Sequence, residues 1–286
     1  MNSGDFHGLP TRILENEFLR LEYLAEAGPR LVRLFPAGSA QNLLAEAPET
    51  FWEPPYGRFY IRGGHRLWHA PEKMPRTYMP DNTGLVITDL PDGVRLEGPK
   101  EPDSGICKTM TVRLHDGRPS LTIEHTLLNA GLWAVELAPW AITQMRLGGT
   151  AVFPQQVGQL DDEGLLPNRQ LTLWPYTQLA DTRLHLDDDY ILVGPDVVAR
   201  PCKIGAFNRR GWLAYLLDDL LFVKRFPVHD GRPHPDFGCN AEIYVNDQCL
   251  ELESLGPLAL LPPGQTVSHS ETWELIHLSH RPQSAA

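Results

Sequence analysis

Basic side chains are scarce in this chain of 286 residues: 25 Lys and Arg against 36 Asp and Glu leave a formal net charge of −11. A surface of that sign repels polyanions, so nucleic acid is not an expected partner. Long apolar runs are missing too. No segment approaches the roughly 18 apolar residues that cross a bilayer as a helix, and the opening MNSGDFHGLP has neither the basic start nor the apolar core of a secretion signal. No membrane partner is expected, and the chain reads as cytoplasmic. Cysteine is sparse: Cys107, Cys202, Cys239 and Cys249 show no Cys-x-x-Cys spacing and no dense framework, which suits reduced thiols, although a hairpin could bring Cys239 to Cys249. There is no Gly-x-Ser-x-Gly elbow and no glycine-rich loop opening a helix around a phosphate. Metal-ligand spacing is incomplete everywhere. His65, His69 and Glu72 would share a face only on a helix, which Gly63, Gly64 and Pro71 oppose. The group His229, Asp230, His234 and Asp236 and the run Asp187-Asp188-Asp189 also lack a full signature. No metal and no cofactor are expected.

What the chain has in quantity is punctuation. Its 24 Gly and 26 Pro are a density of breakers that long helices do not tolerate, while 42% hydrophobic and 21% charged residues describe a folded protein with length enough for a core. Between the breakers, residues alternate in character as strands do. Four pairs of such runs flank tight-turn residues that tolerate positive φ. LVITDL and VRLEG flank Pro91-Asp92-Gly93; MTVRL and LTIEHTLL flank His115-Asp116-Gly117-Arg118; WLAYLL and LLFVKRF flank Asp218-Asp219; AEIYV and QCLELESL flank Asn246-Asp247. The opening TRILENEFLRLEYLAEAGPRLVRLF reads as further strands around Gly28-Pro29. The fold class is therefore all-β and antiparallel. Residues 46–82 and 154–190, rich in Pro, Asp and Trp, read as the long irregular connections on which all-β proteins carry binding sites.

Three segments stand in an informative order. Asn42-Leu43-Leu44 follows the opening strands. Ile61-Arg62-Gly63-Gly64-His65-Arg66-Leu67-Trp68-His69-Ala70-Pro71-Glu72 comes next. Leu250-Glu251-Leu252-Glu253-Ser254-Leu255-Gly256-Pro257, followed by Leu261-Pro262-Pro263-Gly264, lies near the end. Together they resemble the galactose mutarotase-like superfamily. The second segment is similar to the Arg-Gly-Gly-led loop of its hexose-phosphate mutarotase branch, and the third to its last catalytic strand. The likeness is greatest to an uncharacterised bacterial branch, a domain of unknown function, through GGHRLWHAPE, DFGCNAEIYVN, ELESLGPL and ETWEL. The resemblance implies one domain over 1–286, a large antiparallel β-sandwich of the mutarotase supersandwich type, with a small-molecule carbohydrate as ligand. It implies aldose 1-epimerase-like isomerase chemistry with Glu253 as base. It also implies a His acid on a central strand, and here Ala138-Pro139-Trp140-Ala141-Ile142-Thr143-Gln144 holds none.

Strand alternation in CLELES puts Glu251 and Glu253 on one face and Leu250 and Leu252 on the other, so the carboxylates can face a cleft or water while the leucines pack. A partly buried carboxyl has the raised pKa that proton transfer near neutrality needs. His69 is the candidate acid. His65 could serve in its place or bind hydroxyls, since a neutral imidazole both donates and accepts. Arg62 and Arg66 suit a carboxylate or phosphate on an acidic or phosphorylated sugar, or else pair with Glu72 or Glu53. Trp68 is a candidate stacking platform, whereas Trp52, Trp140, Trp174, Trp212 and Trp273 read as packing. A second polar group holds Lys224-Arg225-Phe226 with His229, Asp230, His234, Asp236 and Glu242, with Lys224 at a strand end in water or lining the cleft. Two other classes stay open: a carbohydrate-binding sandwich without turnover, and a glycoside hydrolase or lyase whose second carboxyl comes from another strand.

Overall fold

The computed structural model describes residues 3–278. Two large antiparallel sheets form the structure. In the first, the strands run in the order Ser3–Phe6, Leu9–Glu15, Leu19–Leu24, Leu31–Pro36, His65–Ala70, Val135–Met145, Leu250–Leu255, Ala241–Val245, Cys202–Ala206 and Thr172–Leu173, with Ala259–Leu261 also paired to Val135–Met145. The second runs Leu184–Leu186, Tyr190–Val193, Thr150–Pro154, Trp212–Leu217, Leu220–Arg225, Thr266–His277, Ser120–Asn129, Ile106–Leu114, Gly93–Glu97 and Val86–Leu90. A two-stranded ribbon, Glu46–Trp52 with Phe59–Gly63, completes the strand pairing. This is the large antiparallel β-sandwich expected from the alternation and the turn residues. Helix is all but missing among the described residues: there is a 3-10 turn at Arg76–Tyr78 and a tight turn at Pro235–Gly238 in which Asp236 and Phe237 take positive φ, in keeping with the density of Gly and Pro.

All four hairpins form where alternation and turn residues place them. Val86–Leu90 pairs with Gly93–Glu97, Ile106–Leu114 with Ser120–Asn129, Trp212–Leu217 with Leu220–Arg225, and Ala241–Val245 with Leu250–Leu255. All four cysteines are free, so Cys239 and Cys249 are not bridged. One large apolar cluster, including Leu21, Leu67, Val112, Ile123, Leu252 and Phe222, fills the space between the sheets. A second, with Phe59, Trp68, Tyr78, Trp140 and Ile142, lies on the outer face of the first sheet beneath the ribbon.

The segment 46–82 is less irregular than its composition suggests. His65–Ala70 is a strand buried at every position, paired to Val135–Met145 with Trp68 opposite Trp140. It is entered by a reversal at Gly63 (φ 85°) and Gly64 (φ 69°), where a Cβ would stand 2.1 Å from the Ala45 carbonyl oxygen and 2.0 Å from that of Leu31. Only glycine fits so close a backbone approach at that φ. The expected loop is thus a turn followed by a central strand. Residues 154–190 do run largely without regular structure, holding only the short strands Thr172–Leu173 and Leu184–Leu186.

Candidate functional site

A cleft of about 440 Å³ opens on the outer face of the first sheet, within the size range of small-ligand sites. Its walls are aromatic, from Trp52, Trp68, Tyr78, Trp140, Tyr176 and Tyr244. Its floor is charged and polar, because alternate residues of five neighbouring strands face outward at the same level. Arg66 lies opposite Ile142, Gln144 opposite Glu251, Glu253 opposite Glu242, and Tyr244 opposite Lys203.

These groups form two linked ion clusters. Arg66 reaches Glu251 at 2.9 Å and lies 4.3 Å over the Trp68 ring, while the Gln144 amide donates to the same Glu251 oxygen at 2.8 Å. Deeper, the Lys203 ammonium bridges Glu253 at 2.9 Å and Glu242 at 2.7 Å. It sits 4.8 Å from the centre of the Trp140 ring and 4.6 Å from that of Trp174. The Trp140 indole N–H donates to the same Glu253 oxygen at 2.7 Å, and the other Glu253 oxygen has no partner. Gly205 makes this approach possible, since a Cβ there would stand 3.0 Å from Glu242 Cγ and 3.2 Å from the Trp174 ring. Burial pushes the Glu242 carboxyl well above the usual range against the pull of Lys203. Burial likewise raises Glu251 against the pull of Arg66, and the nearby Glu253 charge adds to the rise. Burial works against charge on Lys203, but Glu242 and Glu253 outweigh it and hold the ammonium's pKa well above normal. The site therefore has a permanent cation beside Glu242, which, like Glu251, holds a proton more readily than free Glu.

Five of the residues singled out in the sequence meet here: Arg66, Trp68, Glu242, Glu251 and Glu253. Glu251 lines the open cleft, whereas Glu253 is fully buried beneath Lys203 and Trp140. The others lie elsewhere. On His65–Ala70 the alternation that turns Arg66 and Trp68 outward turns His65 and His69 into the sandwich. His65 bonds Thr143 and His125 there, and His69 bonds Glu101. His69 thus stands on the opposite side of the sheet from Glu253, and the two do not form an acid–base pair across one ligand. Lys224 is also between the sheets, donating to the carbonyls of Ala141 and Leu252 and paired with Glu271 at 2.7 Å; it neither lines the cleft nor reaches water. Arg62 is held by Asp81 and Asn82 away from the cleft, not by Glu72 or Glu53. Asp236 lies half-buried in the turn Pro235–Gly238, near enough for its charge to raise the Glu242 carboxyl further.

Lys203, Gln144, Tyr176 and Tyr244 escaped the sequence reading, and Trp52, Trp140 and Trp174 were read as packing. One signal was available for Lys203: a lysine inside the apolar strand Cys202–Ala206 needs a buried counter-charge. For the aromatics nothing in the local pattern separates a wall from a core. Among the described residues, His65, His125 and Glu271 are the one group whose donor atoms gather closely enough to suggest a metal. Their hydrogen bonds already account for them. His125 Nδ1–H donates to the His269 carbonyl at 3.1 Å, which leaves its Nε2 to accept from His65 at 2.7 Å.

No family model matches the chain, and no curated protein matches it. Solved structures do. The chain is similar to a galactose mutarotase-like protein from Lactobacillus casei ATCC 334, with TM-score 0.62 and 11% identity over 93% of this chain and 100% of the other. It is similar to a candidate aldose 1-epimerase from Escherichia coli K12, with TM-score 0.61 and 12% identity over 94% and 99%. It also resembles half of a TPR-domain containing protein from Parabacteroides distasonis ATCC 8503, with TM-score 0.64 and 14% identity over 97% of this chain and 49% of that one. At such identities the likeness concerns the backbone and does not reach the bacterial branch suggested by the motifs. The chain has the fold of the galactose mutarotase-like and aldose 1-epimerase-like proteins.

Proposed function

We propose that this protein binds a neutral aldose in the aromatic cleft and interconverts its anomers. The observation that carries the reading is the cleft itself: stacking walls for the apolar face of a sugar ring, above carboxylates and donors at the level of its hydroxyls. The charge balance favours an uncharged sugar over the acidic or phosphorylated one considered from sequence, since Arg66 and Lys203 already face Glu251, Glu242 and Glu253.

Mutarotation needs a proton taken from the anomeric hydroxyl and one given to the ring oxygen. Glu251, the carboxylate at the cleft surface, is the group we assign to the first task; its raised pKa suits an acceptor that must later return the proton. Glu253, the base implied by the resemblance, is assigned a supporting role through Lys203. The Lys203 ammonium spends two of its three protons on Glu242 and Glu253, and the third is the donor we assign to the ring oxygen. As the O–H proton moves to Glu251, the bond from the anomeric carbon to the ring oxygen breaks and that oxygen takes the Lys203 proton. The aldehyde rotates, the ring recloses on the other face, and both protons return, leaving the enzyme unchanged.

Anomer exchange followed by NMR across neutral aldoses tests this. Wild type accelerates exchange for at least one sugar, and Glu251→Gln removes 10²-fold or more of that, in line with general base catalysis at about 10²–10⁴-fold. Equal exchange with and without the protein at every sugar overturns the isomerase reading. Among the described residues no imidazole lines the cleft, which favours a second reading, binding without turnover; calorimetric binding of a sugar whose exchange is not accelerated would establish it.

A further inference from the structure

A second hollow, of about 480 Å³, lies at the irregular segments outside the aromatic cleft. Among the described residues its wall carries three guanidiniums, Arg169, Arg209 and Arg232, against a single carboxylate, Asp230. In a chain of net charge −11, such local excess of positive charge needs an explanation. Asp230 is taken up by Arg209 at 2.6 Å, and among the described residues Arg169 meets only the exposed Asp188, donating to its carbonyl at 3.3 Å with its carboxylate 3.6 Å away. Among the described residues Arg232 has no hydrogen-bond or ion-pair partner for its guanidinium, and it is exposed.

His234 gives the independent sign of a ligand. It lines the same hollow and is only 7% exposed. Its Nδ1–H donates to the Arg232 carbonyl at 2.9 Å, so the neutral ring presents Nε2 as an acceptor, and that buried atom has no partner. A buried polar atom left unpaired is costly, and a proton-bearing ligand would satisfy it. Phosphate retains a proton near neutrality. One P–O–H, or the same proton resting on Nε2, closes this gap while the remaining oxygens meet the guanidiniums in the fork geometry Arg provides. Phe207, with its ring 5.3 Å from that of His234 and 5.1 Å from the Arg209 guanidinium, gives the organic part of an ester an aromatic face.

We propose that this hollow is an anion site for the phosphate group of a small molecule, separate from the sugar cleft and independent of its chemistry. Titration calorimetry of the whole protein at low ionic strength, with inorganic phosphate and with phenyl phosphate, tests it. Saturable binding at one site is expected, weakened tenfold or more by Arg232→Ala, abolished in Arg169→Ala/Arg232→Ala, and unchanged by Arg66→Ala in the cleft. Tighter binding of the ester identifies a phosphorylated metabolite as the ligand, and equal binding identifies free phosphate. Thermal melts confirm that the exposed substitutions and the buried Arg66→Ala leave the fold intact under the conditions of the titration. The proposal is overturned if wild type binds neither probe saturably, if binding survives the double substitution, or if Arg66→Ala abolishes it.

Discussion

Lys203 is where residue-scale physics is most demanding, because one ammonium serves two buried carboxylates on adjacent strands. Removing it leaves Glu242 and Glu253 opposite one another with no cation. Lys203→Met is therefore expected to destabilise the protein by about 3–5 kcal/mol, the cost of breaking a buried pair. Urea unfolding measures this, and a loss below about 1 kcal/mol would show that the cluster is solvated rather than sealed. Trp140→Phe keeps most of the wall and deletes the indole donor to Glu253. The oxygen keeps Lys203, so the expected cost is that of one hydrogen bond to a buried charged group, about 1.5–3 kcal/mol, with sugar binding retained. The two glutamates were legible because a strand alternates strictly. Their counter-ion was not, since Lys203 is fifty positions away in sequence from Glu253 and only strand pairing joins them.

Among the elements, His65–Ala70 decides the site. Its entry depends on Gly64, whose missing Cβ would collide with the Leu31 carbonyl. Gly64→Ala is expected to cost more than about 2 kcal/mol through positive φ and overlap together. An unchanged denaturation midpoint would contradict that tight reversal. The same strand shows what pattern reading can lose. Gly-Gly followed by His, Arg and Trp reads as a loop because charged and aromatic residues crowd it, yet every one of them is buried. The strand has two occupied faces, a cleft outside and a polar core inside, so it lacks the simple apolar–polar alternation of a half-exposed strand.

Across the whole molecule, the sheets are joined by polar as well as apolar contacts. Lys224 crosses to Ala141, Thr143 and Leu252; Glu271 meets Ser254; His65 meets His125. Burial holds His125 and His269 down at about 3 and lowers His65 well below its ordinary value. A depressed folded pKa means that the unfolded chain binds the proton first. The stability these rings allow is present above about pH 6.5 and is lost as pH falls toward 3, at about 1.4 kcal/mol per pH unit for each imidazole. Glu242 and Glu251, with raised pKa values, act in the opposite sense above pH 4.5. A difference between variants therefore isolates the effect: His269→Gln should flatten the stability profile between pH 6 and 5 by about 1.4 kcal/mol per unit relative to wild type. Parallel profiles would mean that His269 is already protonated in the folded state or open to solvent.

The sequence by itself determined the strands, the four hairpins and the sidedness of Glu251 and Glu253, since alternation and turn chemistry are local and need no knowledge of neighbours. Only the tertiary structure decided which face of each strand became a cleft and which the interior. It sent His65, His69 and Lys224 inward, left Arg62 with Asp81, and brought Lys203, Trp140 and Tyr244 to the glutamates. The reason is physical: a period of two separates the faces of a strand, but which of them meets the opposing sheet is settled by contacts between residues far apart in the chain.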